Sequence, residues 1–320
     1  MATIEQVKAL LRMHYDENDE KFMTIALQIA AHEARNGHSS SANEIKNIIQ
    51  NSKRASNKKV LKFIGKNDAL DQKTTDVSIK DLILSEQLES KIERIIIEYK
   101  KKTLLRKSGL KNRSKILLSG PPGTGKTMTA SVIAHSVNLP LFVIQIDRLV
   151  SKYMGETSVK LRQVFESIDE VAGVYLFDEF DAIGADRLLD NDVGEMRRIL
   201  NTFLMHIEND DSNSIIIAAT NNPGLLDKAL FRRFDDVLEF ALPMANEVER
   251  LLKKKLYGLS RDDVFCDALY IKLEGLSHAD ITKMCNDAIK QSILYDIEID
   301  RYMIEGLIEE IKTAYSVQEA

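Results

Sequence analysis

From residue 115 to residue 240 the chain alternates short apolar runs with amphipathic stretches. KILLS (115–119), LFVIQI (141–146), AGVYLF (172–177), SIIIAAT (214–220) and VLEF (237–240) are too short for helices and too uniformly apolar for strands with one wet face. Each reads as a strand buried on both sides. Helical patterns separate most of them; in MRRILNTFLMHI (196–207), Ile199, Leu200, Phe203, Leu204 and Ile207 share one face. Strand, helix, strand, repeated, predicts a doubly wound α/β fold with five parallel strands between helical layers. After Pro243 the strand pattern stops, and residues 245–314 read as helices only. Ahead of the strands, residues 3–50 also read as helices. Their apolar stripes are Ile4, Val7, Leu10 and Leu11; Phe22, Ile25, Ala26 and Ile29; and Ile45, Ile48 and Ile49. NSKRASNKK (51–59) has no periodicity and starts a linker. The resulting division is a helical module (1–52), a linker (53–75), an α/β domain (76–243) and a helical lid (244–320).

Composition narrows this picture only slightly. The 320 residues carry a net charge of −5, so no global basic field invites nucleic acid. The basic run YKKKTLLRKSGLKNRSK (99–115) reads as a solvated face rather than a nucleic-acid track. Two cysteines, Cys266 and Cys285, are too few and too unpatterned for a disulfide framework or a zinc site, and suit a reducing, cytoplasmic setting. No run of about 18 apolar residues is present to span a membrane. The segment MATIEQVKALLRMHYDEND does not read as a secretory leader.

The chemistry lies at the ends of the apolar runs. GPPGTGKT (120–127) follows the first strand and precedes the helical stretch that opens at Met128. It has the form Gly, four residues, Gly-Lys-Thr that defines a phosphate-binding loop. Gly120, Gly123 and Gly125 let the backbone curl around Pro121 and Pro122, so that the N–H groups of Gly123, Thr124 and Gly125 and of the helix start through Met128 face one anion. Lys126 supplies a point charge to the phosphates of ATP, and Thr127 a hydroxyl to Mg²⁺. VYLFDEFD (174–181) ends a buried strand in carboxylates. Asp178 is the second candidate Mg²⁺ holder, and Glu179 the candidate general base for an attacking water. IIIAATNNP (215–223) ends a third strand at Asn221, whose carboxamide can both donate to a γ-phosphate and orient water. Arg232 and Arg233 follow in LDKALFRRFDD (226–236), placed either to stabilise transition-state charge or to pair with Asp235 or Asp236.

GPPGTGKT, FDEFDAIG, AATNNP, ALFRRFD and GLSHADI, in that order, resemble the AAA+ ATPases, and within them the AAA clade of ring-forming remodelling motors. The resemblance covers roughly residues 76–314 and implies a P-loop NTPase αβα sandwich followed by a helical lid. It also implies a homo-hexamer with ATP between subunits, Arg232 and Arg233 acting in trans on the neighbour's nucleotide. SKYMGETSVKLRQVFE (151–166) is similar to the clade's pore-lining segment, which would put Lys152, Tyr153, Met154 and Gly155 on a loop that grips a protein substrate. An aromatic beside a flexible thioether suits a grip tolerant of sequence. Within VSIKDLIL (77–84), the backbone of Asp81, Leu82 and Ile83 is implied to meet the adenine. His278 and Ala279 of GLSHAD are implied to lie by the nucleotide, His278 near the adenine or ribose or else as a solvent-facing histidine at a helix start. There the chain departs from the clade, which has Gly where His278 stands. More distant branches have a sensing arginine where Ala279 stands.

Residues 19–38 are similar to the start of compact bacterial AAA ATPases, some of them paired with a subtilisin-like serine protease in phage defence. Such a protease is therefore a candidate partner. The chain itself has no Ser/His/Asp arrangement of nucleophile type, its six histidines lying in other contexts. The reading is an ATP-hydrolysing motor that threads or remodels protein. Its alternative is a nucleotide-gated switch or nucleic-acid motor without threading.

Overall fold

The computed structural model describes residues 4–15, 19–35, 38, 41–45, 47, 68–149, 156–184, 193–226 and 228–316. They fall into two compact units, one within Met1–Asp68 and Lys101–Asn112, the other within Ala69–Lys100 and Arg113–Ala320.

The first unit contains α1 (Ile4–Tyr15) and α2 (Asp19–Arg35), which pack together. Ala26, Ile29 and Ala30 of α2 are buried, as their stripe requires, whereas Ile4 and Val7 of α1 remain exposed. The α1 stripe therefore makes a helix without burying its first turns. Ile48 and Ile49 of the third stripe lie outside the described residues.

In the second unit the sheet runs β1 (Leu70–Lys73), β3 (Leu141–Ile144), β4 (Val174–Phe177), β5 (Ile215–Thr220), β2 (Lys115–Ser119), β6 (Asp236–Glu239). The strands β2 to β6 fall at the five runs, and their pairings are parallel; β6, at the sheet edge, corrects the expectation of burial on both sides, only Leu238 of its four residues being buried. A sixth strand corrects the sequence reading: β1, inside the segment taken as linker to residue 75, pairs antiparallel with β3, Leu70 opposite Ile144 and Lys73 opposite Leu141. Its sequence LDQK buries only Leu70. An edge strand needs little apolar surface, so no hydrophobic run announces it. Residues 53–67 lie outside the described residues.

Alternate side chains of the strands point to opposite faces. On one face Ile116, Leu118, Val143, Leu176, Ile217 and Leu238 pack with Ile92, Ile95 and Ile96 of α3 (Glu86–Lys100) and Val132 and Ile133 of α5 (Lys126–Ser136); α4 (Lys102–Lys107) belongs to the first unit. A short α6 (Ile146–Leu149) leaves the end of β3. On the other face the packing is aromatic. Phe165 of α7 (Glu156–Glu170) stacks on Phe177, and Phe203 meets Phe177 and Phe180 edge-on or tilted. Phe203 lies on α9 (Val193–Asn209), which follows the single turn α8 (Asp181–Gly184). Five parallel strands clad on both faces are thereby held with their carboxyl ends level, where β2, β4 and β5 deliver their loops. Open α/β sheets bind ligands at that edge.

After α10 (Lys228–Phe231) and β6 come α11 (Ala245–Leu256), α12 (Asp267–Lys272), α13 (His278–Tyr295) and α14 (Arg301–Ser316). They enclose a second core of Val248, Leu252, Leu269, Ile281, Cys285 and Ile304. Ile83, from the segment before α3, joins this lid core, while Leu82 and Leu84 on either side join the sheet core. The segment is thus anchored by alternate side chains into two layers. Among the described residues no helix is long and apolar enough to cross a membrane.

Candidate active site

The phosphate loop runs from the end of β2 to the start of α5. Gly120 has φ +143° and lies so close to Phe240 that a Cβ would collide with that residue's carbonyl oxygen. Gly123, at φ +73°, is covered in the same way by Ser277 of the lid. Both positions admit only glycine, one for packing under β6 and one for packing under the lid. Thr124 closes the turn, its hydroxyl donating to the Pro121 carbonyl at 2.8 Å.

Lys126, in the first turn of α5, is 6% exposed. Its ammonium donates to the carbonyls of Gly120 and Pro121, each at 2.7 Å. Burial lowers its pKa below the ordinary lysine value, while the charges of Asp178 and Asp181 work the other way. A buried cation held by two carbonyls of its own loop fits an anion site, since an ion pair there would recover what burial costs. Thr127 donates its hydroxyl to Asp178 Oδ2 at 2.8 Å, joining the loop to the end of β4. A hydroxyl and a carboxylate at that separation form an oxygen donor set suited to Mg²⁺, which those two residues would hold. Met128, next in the helix, is 36% exposed.

Glu179 follows Asp178, is exposed, and has φ +53°. A non-glycine residue in the left-handed region costs about 1 kcal/mol or more and is characteristic of functional turns. The turn is held by the Glu179 N–H to Asp178 Oδ1 (3.0 Å) and by the Phe180 N–H to the Ala219 carbonyl (2.8 Å). Asn221 stands at the end of β5, its N–H directed at Asp181 Oδ1, 3.3 Å away. Asp181, quoted in the acidic motif but given no role, is thus the link between the β4 and β5 ends. Its charge also reaches Lys126.

The start of α13 is brought to the same loop. The Ala279 N–H donates to the Gly123 carbonyl at 3.0 Å. His278 precedes it, beside the Ile83 main chain; burial lowers its pKa, against the raising effect of Glu247. Both imidazole nitrogens are buried without a hydrogen-bond partner among the described residues. Imidazole nitrogens buried in this way can donate to or accept from a polar ligand edge. Asp81 is turned to its own surroundings, accepting from the Ser78 N–H at 2.9 Å and from Lys254 Nζ at 3.0 Å. Leu82 and Ile83 are buried, and the Leu82 N–H is taken by the Ile79 carbonyl at 3.2 Å.

The arginines follow α10 and part company. Arg233 forms an ion pair with Glu208, whereas Arg232 is exposed and engaged in no ion pair among the described residues. Neither pairs with the aspartates beside them. Asp235 accepts from the Ser114 and Lys115 amides, and Asp236 pairs with Arg94 and Arg113. Lys152, Tyr153, Met154 and Gly155 lie outside the described residues.

Comparison with known proteins agrees with this geometry. The family model for the ATPase family associated with various cellular activities (AAA) matches residues 116–242. An uncharacterized AAA family ATPase of Sinorhizobium fredii is 39% identical over 216 residues, 67% of this chain and 64% of that protein. A proteasome-activating nucleotidase of Methanothermobacter thermautotrophicus is 36% identical over 213 residues, 64% of this chain and 52% of that protein. The chain thus spans between about half and two thirds of the length of these relatives. The crystal structure of the FIGL-1 AAA domain matches 77% of this chain and 87% of its own, with a TM-score of 0.62 at 22% identity, a likeness of fold. The family match runs from the second residue of β2 to just beyond β6, the span that carries the loop and its carboxylates, so the likeness to AAA ATPases is a likeness of this domain.

Proposed function

We propose that the chain hydrolyses ATP, with Mg²⁺, at sites completed between the subunits of a hexameric ring, and uses that cycle to remodel, unfold or translocate a protein through a central pore. The observation that carries the hydrolytic reading is the 2.8 Å bond from Thr127 Oγ1 to Asp178 Oδ2, with Glu179 in a strained turn directly beyond it. When bound, Mg²⁺ neutralises charge on the β- and γ-phosphates. Lys126 leaves its loop carbonyls to pair with the phosphates, and Glu179 takes the proton from the attacking water. Asn221 orients that water from the end of β5. Arg232, exposed and outside any ion pair among the described residues, is the better candidate to reach a neighbouring subunit's γ-phosphate; Arg233 is engaged by Glu208.

Protein as the substrate class rests on the similarity to proteasome-activating nucleotidases and on the pore-type segment Lys152–Tyr153–Met154–Gly155. A subtilisin-like serine protease as partner, with a role in phage defence, rests on the resemblance of residues 19–38 alone, and co-purification tests it.

Glu179→Gln tests the hydrolytic reading. Phosphate release should fall by about 10²- to 10⁴-fold while ATP remains bound, the range a general base supplies. Turnover at the wild-type rate would sink the assignment. Tyr153→Ala then separates a motor from a nucleotide-gated switch: a motor loses substrate processing and keeps ATPase activity, whereas unimpaired output favours the switch.

A further inference from the structure

The phosphate loop is held from the lid side by a relay that ends at the far end of the lid. The first contact is the bond from the Ala279 N–H to the Gly123 carbonyl, 3.0 Å. A trans peptide is planar with its C=O and N–H opposed, so fixing the Gly123 carbonyl toward α13 turns the Thr124 N–H away from it. Amides so turned are what an anion in this kind of loop meets. The second contact is steric, since Ser277 lies directly over the Cα of Gly123.

Ser277 is in turn held by Asp280. Asp280 Oδ2 accepts from the Ser277 N–H at 3.0 Å and from its hydroxyl at 2.7 Å, and the Asp280 N–H returns a bond to Ser277 Oγ at 3.2 Å. This reciprocal cap defines where α13 begins. The other carboxylate oxygen, Oδ1, accepts the Tyr315 hydroxyl at 2.5 Å, from the last turn of α14. Tyr315 is 46% exposed and stands outside the buried lid core, so its ring adds little packing. Its one specific contribution is that hydroxyl.

We propose that Tyr315 is a positioning residue for nucleotide binding: through Asp280 and Ser277 it holds the start of α13 against Gly123, so that the last turn of α14 and the phosphate loop are energetically coupled. The proposal rests on the reading of the loop as an ATP site. Coupling between two sites is reciprocal, so nucleotide should tighten the Tyr315–Asp280 bond by the factor that Tyr315 tightens nucleotide.

The test uses the full chain and an unhydrolysable ATP analogue with Mg²⁺. Tyr315→Phe deletes one oxygen at a half-exposed site, and its dissociation constant should rise about three- to tenfold, the worth of one hydrogen bond to a charged or neutral partner. At saturating ATP, kcat should stay within about twofold of wild type, because the groups at the γ-phosphate are untouched. In a Ser277→Ala background the same substitution should add little, as residues in one relay are non-additive. Amide exchange over residues 311–316 should slow when nucleotide binds the wild-type protein, a readout that needs no variant and that a purely structural tyrosine would not move. Wild-type binding that Tyr315→Phe leaves unchanged, or exchange in that turn indifferent to nucleotide, overturns the coupling and leaves the ATP site standing. A wild-type chain that binds no nucleotide overturns both.

Discussion

The phosphate loop is supported on two sides that differ in kind. On the sheet side it meets the ends of β4 and β5, through the Thr127 hydroxyl to Asp178 and the Gly120 N–H to the Thr220 carbonyl at 3.3 Å, while the Asn221 N–H to Asp181 ties those two strand ends together. On the lid side it meets the start of α13, and the contacts are a main-chain hydrogen bond and a serine laid over a glycine. On the proposed reading the sheet side supplies charge and proton chemistry on rigid strand ends. The lid side supplies only position. A loop gripped by groups of the first kind on one flank and the second kind on the other can keep its chemistry while its geometry is tuned. The difference between the two flanks can therefore be measured as a difference between turnover and affinity.

The largest effect is expected on the sheet side. Lys126→Ala should lower ATP hydrolysis by about 10²- to 10³-fold, the usual consequence of removing one preorganised charge-stabilising group, while leaving the lid's melting behaviour unaltered. Steady-state phosphate release and thermal unfolding check the two halves. A variant that keeps its rate would erase the distinction between the flanks.

A substitution on the lid side should act differently. Gly123→Ala places a Cβ against Ser277 at a backbone φ of +73°, so both strain and collision apply. It should destabilise the domain by about 1–3 kcal/mol and weaken nucleotide binding, read from denaturant unfolding and from titration with ADP. Full affinity in this variant would show that the lid does not position the loop.

Ser277→Ala is milder because it removes the cap without adding bulk. About 1 kcal/mol of stability should be lost, localised to α13 and measurable as faster amide exchange at the start of that helix.

The smallest effect concerns the segment that joins lid to sheet. Asp81 lies at about 2 rather than its ordinary 3.8, through bonds from the Ser78 main chain, from Lys254 and from the Ser78 hydroxyl. Its folded pKa is depressed, so the stabilisation is complete above the ordinary value and disappears as pH falls from about 4 toward about 2. Asp81→Asn should flatten that part of the stability–pH curve and leave the curve near neutrality unchanged in slope. An identical acid slope in the variant would assign the effect to other carboxylates.

The two flanks also differ in how much of them could be read without coordinates. Four strands, β2 to β5, were legible because an apolar run of four to six residues buried on both faces is too short for a helix; β6 was read in the same way, yet only Leu238 of its four residues is buried. The loop was legible because its glycines, lysine and threonine are required by the chemistry and are contiguous. The antiparallel β1 escaped because LDQK presents one buried side chain at a sheet edge. The different pairing of Arg232 and Arg233 escaped because the partner of Arg233, Glu208, lies on another element. The Ser277–Asp280 cap did have a local signal, a serine followed three residues later by an acid. Its meeting with Gly123 had none.

By itself, then, the sequence determined the periodicities, hence the layers, and the identity of groups that act where a strand ends, because those depend on neighbours within a few residues. Only the tertiary structure decided which arginine stays outside an ion pair, which face of Gly123 is covered, and that a hydroxyl at residue 315 reaches a carboxylate at 280. Such contacts join segments far apart in the chain, and the packing of separate elements, which no local pattern encodes, brings them together.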